Sequence, residues 1–127
     1  MKKKLVPLAI LLLVVVALVA GRRLLPAEEK PAEITVKGTV VDMHCYVTHG
    51  IHDAKHTACA NACIKRGVPA GLLAEDGTLY VLFEEKPFSV KDRVAGLADV
   101  AVVVKGLSVE RGGVKGLQVT SLEKAAP

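Results

Sequence analysis

The chain contains no tryptophan, only two tyrosines and two phenylalanines, and aromatic residues make up 3% of its 127 positions. Binding single-stranded nucleic acid takes a basic groove with aromatic rings on which bases can stack, so this shortage argues against nucleic acid as a partner. Cysteine is confined to Cys45, Cys59 and Cys63. No Cys-x-x-Cys pair exists, which excludes the thioredoxin redox motif, and no Cys-x-x-Cys-His exists for covalent haem attachment. No glycine-rich phosphate loop is present either, since Gly112-Gly113 reads as a turn. There is no internal repeat and no low-complexity tract. A length of 127 residues leaves room for one domain and excludes a multidomain enzyme.

The formal net charge of +4 is not spread over the chain. Lys2, Lys3, Lys4, Arg22 and Arg23 flank one apolar run, Leu5–Ala20, which only Pro7 interrupts. From Glu28 onward the chain has 12 basic and 13 acidic residues, so the remainder is nearly neutral and the basic isoelectric point carries no message about DNA or RNA. The flanked run is expected to meet a membrane. It lies at the lower limit of about 17 residues needed to span the hydrocarbon core, and it also has the basic start and apolar centre of a signal peptide. Only a cut after Gly21 approximates a cleavage site, with two arginines just beyond it, so an uncleaved anchor fits better than a cleaved peptide. No cysteine follows the run, which excludes a lipoprotein anchor. The lysines should remain cytoplasmic, placing everything after Arg23 in an extracytoplasmic, oxidising space. The expected layout is a signal anchor or signal peptide over residues 1–23, a spacer over 24–32 and an extracytoplasmic domain over 33–123.

Within that domain, Ile34–Val41 is β-branched and nearly alternating, which predicts a strand, with Gly38 marking a bulge or bend. A helix is expected from about Ala54 to Arg66, with Asp53 as N-cap, Lys65 and Arg66 in the last turn, and Gly67 and Pro69 as a stop. Glu75-Asp76-Gly77-Thr78 between two apolar runs predicts a β-hairpin. Val90–Gly96 reads as a short helical stretch, and Val100–Val109 and Val114–Leu122 as strands. Five short strands with a small helix before the fourth suggest a mainly β (α+β) fold, a partly open Greek-key barrel of the OB type with the cysteine-bearing helix inserted after the first strand. A simple α+β roll is the alternative.

All four histidines and all three cysteines fall between His44 and Cys63. His56, Cys59 and Cys63 are spaced i, i+3, i+7, which places them on one side of the expected helix. Cys45 follows the first strand and supplies a fourth ligand if that strand packs over the helix. Three thiolates and one imidazole suit copper(I) or zinc. Met43, His44 and His52 are possible additional ligands, and His49 and His52 read as solvated loop residues. The competing reading is a disulfide, because cysteines in an oxidising compartment usually pair. Cys45 with Cys59 or Cys63 would close a loop of about 15 residues worth roughly 3 kcal/mol, and an odd count leaves one thiol over. A Cys–His nucleophile from His56 and Cys59 lacks an evident oxyanion turn, so catalysis is not the expected role.

The stretch from His56 through Cys59-Ala60, Cys63-Ile64, Gly67, Pro69 and Gly71-Leu72-Leu73, followed by Glu75-Asp76-Gly77 and Leu79-Tyr80, resembles a group of small exported bacterial proteins with a Cys/His motif ahead of an OB-like barrel. The resemblance covers roughly residues 36–122. It implies an address, at the bacterial inner membrane with the domain facing the periplasm or the exterior, and a fold, but no reaction. Cys59-x-x-x-Cys63 is also similar to the copper pair of the Sco assembly proteins, although their flanking prolines and βαβ order are missing. Two functions are therefore expected to compete. One is a membrane-anchored metal-binding module, with copper(I) the expected ion and zinc the alternative that would make the same site structural, serving metal handling or an electron-transfer complex. The other is a non-catalytic interaction domain, binding a protein partner, whose cysteines form a structural disulfide.

Overall fold

The computed structural model describes residues 30–85 and 90–126. The apolar N-terminal run lies outside the described residues, as does Phe88; among the described residues no helix is long and apolar enough to cross a membrane. Five strands form: β1 (Ala32–Asp42), β2 (Ala70–Ala74), β3 (Leu79–Phe83), β4 (Ala101–Arg111) and β5 (Val114–Lys124). Two helices, α1 (Met43–His49) and α2 (Thr57–Lys65), lie between β1 and β2, and a 3-10 turn at Val90–Asp92 precedes β4. The strands close into a barrel in the order β1-β2-β3-β5-β4. All pairs are antiparallel except β3 with β5, which run parallel. This is an OB-like barrel with its helical insertion after the first strand.

Closure depends on β1, which pairs with β4 from Ala32 to Thr39 and with β2 from Gly38 to Asp42. Gly38 sits where the two partners overlap, opposite both Ala74 and Val102. It does not mark the bulge that the sequence suggests. A Cβ at Gly38 would run into the carbonyl of Leu73, so this glycine permits close approach of two backbones as the sheet curls. The irregularity of register falls instead between Lys105 and Gly106 on β4. There a Cβ on Gly106 would strike the carbonyl of Gln118.

Alternation along the strands sends Val40, Leu72, Leu82, Val102, Val104, Leu117 and Val119 into one buried cluster. Ala60 and Ile64 of α2 belong to the same cluster, so α2 lies on the barrel core as a plug. Val41, on the opposite face of β1 from Val40, is buried as well, and both helices pack against β1. The end of β1 is thus covered on both faces. Asn61 ties α2 to the segment before β4: its Nδ2 donates to the Thr57 carbonyl at 3.0 Å, and its Oδ1 accepts from the Ala98 amide at 3.2 Å.

Two local details differ from the sequence reading. The helix expected from Ala54 starts at Thr57, because the Asp53 carboxylate accepts from the Lys55 and His56 amides and organises a turn ahead of it. His56 occupies the N-cap position without a side-chain cap. Cys45 and its neighbours form a second helix, α1, where a connecting loop was expected. Asp42 caps it by accepting from the Cys45 amide at 2.9 Å, and Gly50 ends it in the left-handed region, donating to the Tyr46 carbonyl at 2.8 Å.

Candidate metal centre

Asp42, Cys45 and His56 converge where β1 enters α1 and the chain enters α2. One ligand atom from each lies within 4.8 Å of the other two. An ion held at about 2.0–2.3 Å by tetrahedral ligands separates those ligands by about 3.3–3.8 Å, so the three stand at most about 1 Å wider than such an ion requires. His56 Nδ1 stands 3.9 Å from Asp42 Oδ2, just outside that span. The Asp42 side chain is 2% exposed and that of His56 14%. His56 Nδ1 is buried without a hydrogen-bond partner. A buried imidazole nitrogen with no partner costs about 1–3 kcal/mol, and a bound cation would supply the missing interaction. Among the described residues this group of Asp42, Cys45 and His56 can hold a metal ion.

Local sequence sets the backbone around each member. Asp42 ends the apolar Val40-Val41 run and is drawn into the buried end of β1, where its Oδ1 caps α1. That cap fixes Cys45 three residues on, within the first turn. His56 is set by the Asp53 turn and by the helical bond from the Ala60 amide to the His56 carbonyl at 3.0 Å.

Electrostatics give the site a consistent sign. The Cys45 thiol is pushed up to about 11, first by burial and then by the Asp42 carboxylate, which faces it as a charge and hydrogen-bonds it, with Cys63 and Cys59 adding to the effect. The Cys63 thiol is also raised, by burial, by the charge of Cys59 and a hydrogen bond with it, and by Asp42, against the opposing charge of Arg66. These neighbours disfavour a thiolate, whereas a nucleophilic cysteine requires the reverse. A cation among them inverts the sign and favours deprotonation.

The structure places the residues singled out in the sequence as follows. Cys45 and His56 each bring a ligand atom within 4.8 Å of the other. All three cysteines are free, with Cys45 and Cys63 half-buried and Cys59 exposed. Cys59 and Cys63 lie outside the tight trio but near enough to raise the Cys45 thiol. The Met43 sulfur packs over Gly71, where it would lie 2.6 Å from an added Cβ. His44 and His49, both on α1 rather than in a loop, meet edge to face with ring centroids 6.4 Å apart, and His52 lies 5.5 Å from the Tyr46 ring. Asp42 was not among the expected ligands. The signal was available: an aspartate closing an apolar strand, three residues ahead of a cysteine, is an N-cap pattern that turns the carboxylate toward that cysteine. No family model matches the chain, and no curated protein or solved structure matches it either.

Proposed function

We propose that this protein is a membrane-anchored, extracytoplasmic module that binds a zinc or copper ion and serves metal handling or an electron-transfer complex. The observation that carries the reading is the convergence of carboxylate, thiol and imidazole around a buried, unpartnered His56 Nδ1. The basic residues flanking the apolar N-terminal run support the anchor and the address.

The donor set discriminates between metals. Oxygen, nitrogen and sulfur together suit zinc, with half-buried Cys63, whose charge acts on Cys45, the thiol to complete four-coordination. Copper(I) favours thiolate ligands and would draw on Cys45, Cys59 and Cys63 with His56, leaving Asp42 aside. Zinc is therefore the better match to the trio. The test is elemental analysis of the full chain purified anaerobically in detergent, followed by titration with zinc(II) and copper(I). About one equivalent of metal is expected. Asp42→Asn should weaken zinc far more than copper(I), while Cys45→Ser should weaken both. A chain that takes up neither ion refutes the proposal.

A further inference from the structure

Position around α2 grades the side chains from solvent to core. With an advance of about 100° per residue, Cys59 lies about 60° to one side of His56 and Cys63 about 20° to that side. Ala60 and Ile64 lie about 40° and 80° to the other side by the same rule. Exposure follows this order: Cys59 is exposed, Cys63 and His56 are half-buried, and Ala60 and Ile64 are fully buried. Cys59 and Cys63, four residues apart, stand on consecutive turns of α2 on the side that carries His56, as neighbours about 5–6 Å apart at Cβ. The two cysteines therefore lead from solvent along the His56 side of α2, toward a site whose carboxylate is 2% exposed. Such a site needs an entry path if it is to fill and empty. An exposed thiol one turn from an inner one adds nothing to the trio itself, yet it is placed where an incoming ion arrives first. Nearby in sequence, Val47 at 62% and Ile51 at 37% are among the exposed large apolar side chains, and both lie between Cys45 and His56.

Building on the metal-binding reading, we propose that the protein exchanges its ion with a thiolate-ligated donor or acceptor through Cys59, which passes the ion by way of Cys63 to Asp42, Cys45 and His56. In uptake, the Cys59 sulfur bonds to an ion held by donor thiolates, one donor sulfur–metal bond breaks, and the Cys59 proton goes to the departing thiolate. The same exchange at Cys63 breaks the Cys59–metal bond and returns a proton from Cys63 to Cys59. The Cys45 sulfur, the Asp42 carboxylate and the His56 imidazole then replace the remaining donor sulfurs, whose bonds to the ion break as they leave as thiolates, one of them taking the Cys45 proton. The ion keeps its charge and no electron moves. Cys59 is then a transit ligand, vacated once the ion is seated.

The test uses the full chain, reduced and anaerobic, offered zinc(II) as its glutathione complex or, in a parallel arm, bound to a cysteine-rich protein. Uptake is followed in time, and equilibrium occupancy is read separately with cobalt(II) as a spectroscopic reporter of thiolate ligation. For Cys59→Ser the expectation is an uptake rate at least tenfold slower in one or both arms, with one equivalent still bound and the cobalt spectrum unchanged. An arm that alone slows identifies the donor as small thiol or protein. If Cys59→Ser fills as fast as the parent from both donors, the relay is wrong and the metal centre stands. If the variant loses its equivalent or changes the cobalt spectrum, Cys59 is a resident ligand and the relay is again wrong. If the parent chain binds no metal, the metal-binding reading itself has failed.

Discussion

His56 Nδ1 and Asp42 Oδ2 stand 3.9 Å apart, too far for a hydrogen bond and close to the span of two ligands on one ion. The nitrogen has no other partner, while the aspartate already uses its second oxygen to cap α1. Asp42 therefore has two separable duties, one structural and one electrostatic.

Asparagine at position 42 retains an oxygen for the cap and removes the charge. Asp42→Asn should leave the melting temperature within a few degrees of the parent and raise the zinc dissociation constant by more than about tenfold. Asp42→Ala removes the cap as well and should cost about 1 kcal/mol or more in addition. Thermal denaturation and competition against a chromophoric chelator check both outcomes. Equal zinc affinity in parent and Asp42→Asn would remove the carboxylate from the site.

Thiol reactivity should differ among the three cysteines of the metal-free protein. Cys45, at about 11, has almost no thiolate at neutral pH, so alkylation should label exposed Cys59 first and Cys45 slowly, at a rate that climbs with pH toward that value. The sign for stability follows: a thiol raised in the folded state from its ordinary value of 9.0 weakens the fold as pH rises from about 9 toward 11. Asp42→Asn should speed labelling of Cys45, because it removes one of the charges that hold the thiol protonated. Mass spectrometry of timed alkylation across pH measures this.

At the β2–β3 hairpin, the Asp76 carboxylate accepts from the Thr78 amide at 2.8 Å, and these bonds to Thr78 hold its pKa below the ordinary value of 3.8. A lowered carboxylate contributes stability above its unfolded pKa and loses it as pH falls through the folded one. Asp76→Ala should therefore lower the urea midpoint at pH 7, and the gap from the parent should narrow as pH drops below 3.8. A gap that stays constant into acid would show that the charge plays no part in holding the turn.

Gly106 has no room for a side chain, since a Cβ there meets the Gln118 backbone and the Leu117 side chain. Gly106→Ala should destabilise the barrel by about 1–3 kcal/mol, read as a lower melting temperature. Gly77→Ala, in open space at φ 84, tests strain without collision and should cost about 1 kcal/mol.

Much of the fold was legible along the chain because its signals are local. The Glu75-Asp76-Gly77-Thr78 turn, the β-branched start of β1 and the alternation of Leu117 and Val119 each express a two-residue period or a turn preference that needs no distant partner. α1 was not legible. Its seven residues include Val47, Thr48 and two histidines, all weak helix formers, and it exists because Asp42 caps one end and Gly50 terminates the other. The shifted start of α2 has a similar cause, the Asp53 carboxylate serving a turn rather than the helix.

The crowding of sulfur and imidazole into one short window, and the net positive charge at the flanks of the N-terminal run, are written along the chain. Composition and spacing suffice for that, since both are properties of neighbours in the chain. That a carboxylate joins Cys45 and His56, and that the three cysteines differ in depth, follows from packing across the fold. Burial of Asp42 depends on β1 being covered on both faces, and the grading of Cys59 and Cys63 depends on which side of α2 meets the barrel core. Both are set by long-range packing, which one-dimensional spacing does not encode.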